Sequence, residues 1–210
     1  SFDTSLTETT AKFYEGFSSP SFAHARDVTG FANAFSTRAQ LGPGFNGTGG
    51  AHFDRESALL LASSNSFLPD GVNVLGMTAC LRFRKLQDAD TLFPTLFSIG
   101  PAFSLRYYAF YSDLSLAVNG VTTRNTALGT ANPASPGSTW VHVCGSAATR
   151  GHAVLYVNGS RVATSSSLQS WSSLAAPESF VSVGGTGERS LAGQGFDRGV
   201  GGIVSSLRLW

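Results

Sequence analysis

Apolar and polar residues alternate along most of this chain with a period of two. The clearest run is "VLGMTACLRFR" (74–84). Leu75, Met77, Ala79, Leu81 and Phe83 share one face there, and Thr78, Cys80, Arg82 and Arg84 share the other. That pattern predicts a β-strand with one face in a core. In "STWVHVCGSAATRGHAVLYVNGSRVATSS" (138–166), Val141 and Val143 oppose Trp140, His142 and Cys144. The same stretch predicts a hairpin, because Asn158-Gly159 supplies the positive φ angles of a two-residue type I′ turn. Further strand signals are "AHFDRESALLLA", "TLFPTLFSIG", "FSLRYYAFY", "LSLAVNG", "SFVSVGG" and the terminal "GGIVSSLRLW". About ten short strands separated by turn residues, with no convincing long helix, predict an antiparallel sandwich or barrel.

The first fifty residues break the pattern. "SFDTSLTETTAKFYEGFSSPSFAHARDVTGFANAFS" scatters Phe among small polar residues without a sustained period. A short helix around 7–15, capped by Ser5 or Thr7, is one reading. An extended arm or edge strand that lays its Phe side chains on the main body is the preferred one. "LGPGFNGTGG" (41–50) reads as an irregular linker that puts Asn46 on the surface. The domain organisation is therefore an irregular N-terminal arm over 1–50, packing on the body or a partner, and a β-sandwich over 51–210.

Composition narrows the class. The chain has 210 residues, 42% apolar and 13% charged, which suits one large core and argues against disorder. The formal net charge is +1, and no Lys/Arg block exists, so nucleic acid and acidic membranes rank low as partners. No apolar run approaches the roughly 18 residues of a membrane span. The start at Ser1, without a basic and apolar leader, suggests a processed mature chain or an excised ectodomain fragment. Cys80 and Cys144 belong to no CxxC, and the four histidines (His24, His52, His142, His152) lack zinc-ligand spacing. From their placement alone, the cysteines are either buried reduced thiols or one disulfide. Asn46-Gly47-Thr48 and Asn158-Gly159-Ser160 are glycosylation sequons, and with the cysteines they favour a secreted or extracellular glycoprotein.

Catalysis finds little support. A glycoside hydrolase needs two carboxylates at a set separation across a cleft. Asp54 and Glu56 fall in a turn, Asp88 and Asp90 in a polar loop, and Glu188 stands apart from Asp197. There is no G-x-S-x-G, and His142 on the Trp140 face reads as a packed strand histidine. "GGTGERSLAGQG" lacks the Gly-Lys-Ser/Thr ending of a phosphate loop. The chain is expected not to be an enzyme.

Several of these segments, taken in order, resemble the pentraxin and laminin-G-like jelly-roll superfamily, with pentraxins the nearer likeness. They are "MTACLRFRKLQDADTLFPTLFSIG", the 138–166 stretch, "SFVSVGG" and "FDRGVGGIVSSLRLW", and they span about 51–210. The resemblance implies an all-β, antiparallel two-sheet jelly-roll β-sandwich with a disulfide between Cys80 and Cys144. It also implies that 138–166 is scaffold, in which Trp140 and Tyr156 pack. Calcium binding in that family draws on an Asp-Asn pair after the strand matched by Thr95-Leu96-Phe97-Ser98-Ile99. "SIGPAFSLRYY" has no such pair. The family's second acidic cluster maps to a loop offering only Glu188, Gln194 and Asp197, beside Arg189 and Arg198. Calcium normally takes six to eight oxygens, so no cofactor is expected, with calcium at those three residues as the one candidate. Two departures stand out: pentraxins continue past the matching final Trp, and the first fifty residues have no counterpart.

The function expected is a non-catalytic extracellular recognition or adhesion module that binds a glycan or protein. Arg106 and Tyr108, on one face of "FSLRYYAFY", are the candidate ligand contacts, unless that aromatic run fills the core. The alternative is a structural subunit or ectodomain module of a larger extracellular assembly, as a homo-oligomer or within a multidomain parent. The N-terminal arm would then be the assembly contact.

Overall fold

In a computed structural model of the chain, the alternating run around Cys80 is a strand, Gly76–Lys85, with Met77, Ala79, Leu81 and Phe83 buried and Arg82 exposed on the other face. The structure describes residues 12–15, 24–25, 34–37, 40–47, 49–54, 58–63, 76–86, 95–99, 103–108, 113–118, 121–124, 140–148, 152–165, 180–185 and 200–210. The first strands are β1 (Lys12–Glu15), β2 (His24–Ala25), β3 (Ala34–Thr37), β4 (Gln40–Pro43), β5 (Gly49–Phe53) and β6 (Ala58–Ser63). Next come β7 (Gly76–Lys85), β8 (Thr95–Ile99), β9 (Phe103–Tyr108), β10 (Asp113–Val118) and β11 (Val121–Arg124). The last are β12 (Val141–Ala148), β13 (Ala153–Val157), β14 (Ser160–Ser165), β15 (Phe180–Val183) and β16 (Gly202–Leu209).

These strands form two antiparallel sheets, the layers of a jelly-roll β-sandwich. The first runs β14-β13-β12-β7-β16-β5-β4, and β1 adds to β16. The second runs β11-β10-β9-β8-β15-β6-β3-β2. The core lies between them. Leu81 and Phe83 of β7, Val141 and Val143 of β12 and Leu207 of β16 meet Phe97, Ile99, Phe103, Leu105 and Leu116 of the second sheet. Burying each such side chain contributes about 1.5–3 kcal/mol relative to exposure. β12 runs close to the second sheet at Gly145, where a Cβ would stand 2.7 Å from Leu105 and 2.9 Å from Leu116.

The predicted hairpin forms as the sequence specifies. Val157 pairs with Ser160 across Asn158 (φ 50°) and Gly159 (φ 82°), both left-handed as a type I′ turn requires. Lys12–Glu15 is a strand paired with β16, in line with the edge-strand reading, and residues 7–11 lie outside the described residues. Two expectations are corrected. The 41–50 segment is mostly regular: β4 pairs with β5 in register from Gln40↔His52 to Pro43↔Gly49, and only Phe45–Gly47 makes a short helical turn between them. Pro43 is tolerated because β4 lies at the end of the sheet, where a missing N–H breaks no ladder. At Gly42 a Cβ would stand 2.8 Å from the His52 ring, which a larger residue would displace. Lastly, sixteen strands are described where about ten are predicted. The extra ones are two to four residues long, too short to display a period.

Candidate functional site

Three strands of the first sheet build the candidate site. β7 and β12 pair Arg82 with His142, Cys80 with Cys144 and Thr78 with Ser146. Alternation sends all six to the outer face, because Leu81, Phe83, Val141 and Val143 between them enter the core. β16 sets Ser206 opposite Arg82 and Arg208 opposite Cys80. Arg82 and Arg208 are exposed, and His142 and Trp140 are half-buried.

A bulge completes the surface. β16 shifts register between Val204 and Ser206, leaving Ser205 out of the ladder. The Ser205 hydroxyl accepts the Phe45 N–H at 2.9 Å and donates to the Gly49 carbonyl at 3.3 Å. That pair of bonds pins the Phe45–Gly47 turn above the sheet. The Phe45 ring lies 4.3 Å from the Arg82 guanidinium carbon, a cation–π contact. It also meets Trp140 edge-on, with centroids 5.9 Å apart. Trp140 thus packs as expected, but in a cluster on the outer face.

The cysteines are joined by a disulfide across β7 and β12, with Cα atoms 4.1 Å apart. The His142 Nε2 lies 3.7 Å from the Cys144 Sγ. Burial, then Arg82, then Arg208 hold His142 below the ordinary histidine pKa, which favours the neutral ring. Cys80, His142 and Cys144 place their ligating atoms within 4.8 Å of one another. The disulfide occupies both sulfurs, so the trio is not a metal site in this form.

The second sheet presents a different face around Arg106. Arg106 pairs with Thr95 on one side and Ser115 on the other, and is half-buried. Its neighbours Thr95, Ser104 and Ser115 are buried, and their hydroxyls have no hydrogen-bond partner among the described residues. Further along, the Ser98 and Ser182 hydroxyls meet at 2.8 Å, and Ser182 donates to the Gly185 carbonyl at 2.6 Å. Phe103 and Leu105 of the same strand fill the core. Tyr108 ends β9, and its side chain lies outside the described residues, as do Glu188, Gln194 and Asp197. Glu56, Asp88 and Asp90 also lie outside them.

Both sequon asparagines are exposed, and both border the outer-face cluster. Asn46 follows Phe45 in the turn. Asn158 donates its backbone N–H to the His142 carbonyl at 2.8 Å and accepts the His142 N–H on its side-chain Oδ1 at 2.9 Å. That side chain extends the β12–β13 ladder where the backbone turns away. The sequence reading did not connect Phe45, Arg82, Trp140 and Arg208. Only the outward parity of Arg82 with Cys80 was visible, and its other partners come from distant segments.

The profile of the concanavalin A-like lectin/glucanases superfamily matches residues 63–210. No curated protein matches the chain significantly by sequence. Similar solved structures include domain 4 of AbnA, an extracellular arabinanase from Geobacillus stearothermophilus, in complex with arabinotriose. That domain is 15% identical, with a TM-score of 0.60 and coverage of 94% of this chain and 90% of that one. A structure of botulinum neurotoxin type C, whose cell entry depends on two ganglioside molecules, is 11% identical with a TM-score of 0.57. The match covers 89% of this chain and 44% of the toxin chain, so this chain spans under half of it. Trypanosoma rangeli sialidase in complex with 2,3-difluoro-KDN is 18% identical, has a TM-score of 0.63, and is matched over 95% of this chain and 30% of its own. At these identities the likeness is one of fold.

Proposed function

The chain belongs to the concanavalin A-like lectin/glucanases superfamily, and from that premise we propose that it is a non-catalytic recognition module that binds a glycan on the outer face of its first sheet. The observation that carries this reading is the Arg82–Phe45–Trp140 cluster. Partly exposed rings offer flat apolar area to the C–H face of a sugar, and a stacked guanidinium offers donors to its oxygens. Similar folds in the arabinanase domain, the toxin and the sialidase accompany carbohydrate ligands, which fits this reading. The disulfide and the two sequons support an extracellular setting. The cross-strand place of Cys80 and Cys144 suits the finer pentraxin likeness. The reading gives calcium no part in recognition.

The test is a glycan-array screen followed by calorimetry with Trp140→Ala and Phe45→Ala, each checked for an unchanged melting temperature. Binding of at least one glycan class, weakened about tenfold or more by each variant, is the expected result. Wild-type affinity in both variants would remove the cluster from the site. Cleavage of a bound glycan, seen by mass spectrometry, would overturn the non-catalytic reading.

A further inference from the structure

We propose that the sugar recognised at this face carries an anionic group, a carboxylate or a sulfate, and that Arg82 and Arg208 hold it. The inference rests on the glycan-binding reading and specifies its ligand. It begins with the charges that register collects on the outer face. Arg82 and Arg208 are diagonal neighbours on β7 and β16, and Arg84 follows two positions along β7, opposite Ile203. Arg84 is half-buried, and its Nε, buried, has no hydrogen-bond partner among the described residues. Among those residues, Glu15, opposite Ser206, is the acidic position that register brings nearest. The positive field is felt locally: Arg82 and Arg208 both act against the protonation of His142.

The geometry then favours an oxyanion over a neutral hydroxyl. The Arg82 guanidinium carbon lies over the Phe45 ring, 4.3 Å from its centroid, and the group it belongs to carries five N–H donors. A planar guanidinium presents those donors in the fork that a carboxylate or sulfate accepts bidentately. Stacking also fixes the side chain before the ligand arrives, which lowers the ordering cost of binding. Charge alone does not define the ligand. The whole chain carries only +1, too little to draw a polyanion such as nucleic acid from a distance. Phe45 and Trp140 beside the arginines call for a ring with an apolar face next to the anion. A sugar bearing one acidic group has both parts.

The experiment compares matched glycan pairs that differ only in the acidic group. Lactose against sialyllactose tests a carboxylate, and N-acetyllactosamine against its sulfated form tests a sulfate. Unglycosylated protein, measured by calorimetry at low and at physiological salt, should bind the acidic member of one pair about tenfold more tightly or better. The pair that shows the preference identifies the anion. Added salt should narrow the preference, and Arg82→Gln and Arg208→Gln should each narrow it further. Arg82→Lys should recover it only in part, because an ammonium keeps the charge but loses the fork. Equal affinity within both pairs would overturn the inference and leave the glycan-binding reading standing. A preference that survives both Gln variants would also overturn it. No binding to any glycan in a broad array would overturn both.

Discussion

His142 shows how much a single position depends on its neighbours. In sequence it is one polar residue in an alternating strand, and its outward face was legible from Val141 and Val143. Its environment was not, because Arg82 arrives from β7, Arg208 from β16 and the Asn158 side chain from the turn after β13. Burial and the two arginines hold its pKa below 6.5, so the fold takes up this proton less readily than the unfolded chain. Above that value both states are neutral and the contribution to stability is fully present. As pH falls through about 6.5 the unfolded chain protonates first, and stability is lost until the lower folded pKa is passed. Melting temperatures at about pH 7.5 and pH 5 should therefore differ more for the wild type than for His142→Gln. Equal drops would mean that His142 makes no contribution. Gly184 was similarly opaque: "SVGG" reads as a strand end, yet its φ is +81° and a Cβ there would run into the Phe53 ring. Nothing near it in sequence announces Phe53.

At the scale of elements, legibility followed strand length. β7 and β12 are ten and eight residues long, and their faces and core side chains match the alternation read from sequence, as the β13–β14 hairpin matches its Asn158-Gly159 turn signal. The short strands β1 to β4 hold only two to four residues, and pairing partners define them more than pattern does. The disulfide joins the two best-specified strands, whose cysteines are 64 positions apart in sequence. A loop of that size closed in the unfolded chain contributes about 4 kcal/mol in the chain-entropy model. Because β7 and β12 are also held by a full ladder and a shared core, reduction should not dissolve the sandwich. The double variant Cys80→Ser/Cys144→Ser should lose roughly 2–4 kcal/mol in chemical denaturation while keeping its far-UV spectrum. A loss under about 0.5 kcal/mol would show that the unfolded chain gains little from the missing link. Collapse of the β-sheet signal would show that the bond specifies the fold.

Across the whole molecule, net charge concealed what topology concentrates. A total of +1 argued against anionic partners, but a sheet that places β16 beside β7 brings Arg208 next to Arg82 from opposite ends of the core sequence. The same reshuffling decides what the N-terminal segment does. β1 pairs with β16, β3 with β6, and β4 with β5, so residues before 45 hydrogen-bond to both sheets. The Phe45 turn that stacks on Arg82 is anchored by Ser205, whose bulge separates the part of β16 beside β5 from the part beside β1. Removing residues 1–45 would uncover the flanks of β5, β6 and half of β16, and unpaired strand edges invite association. It would also take away one ring of the cluster. We expect the truncated chain to melt at lower temperature and to aggregate on gel filtration. A truncated chain that stays monomeric and as stable as the whole would instead make the segment an outlying arm, free to serve as a contact for another subunit. Any sugar still bound by such a chain, at unchanged affinity, would move the binding site away from Phe45.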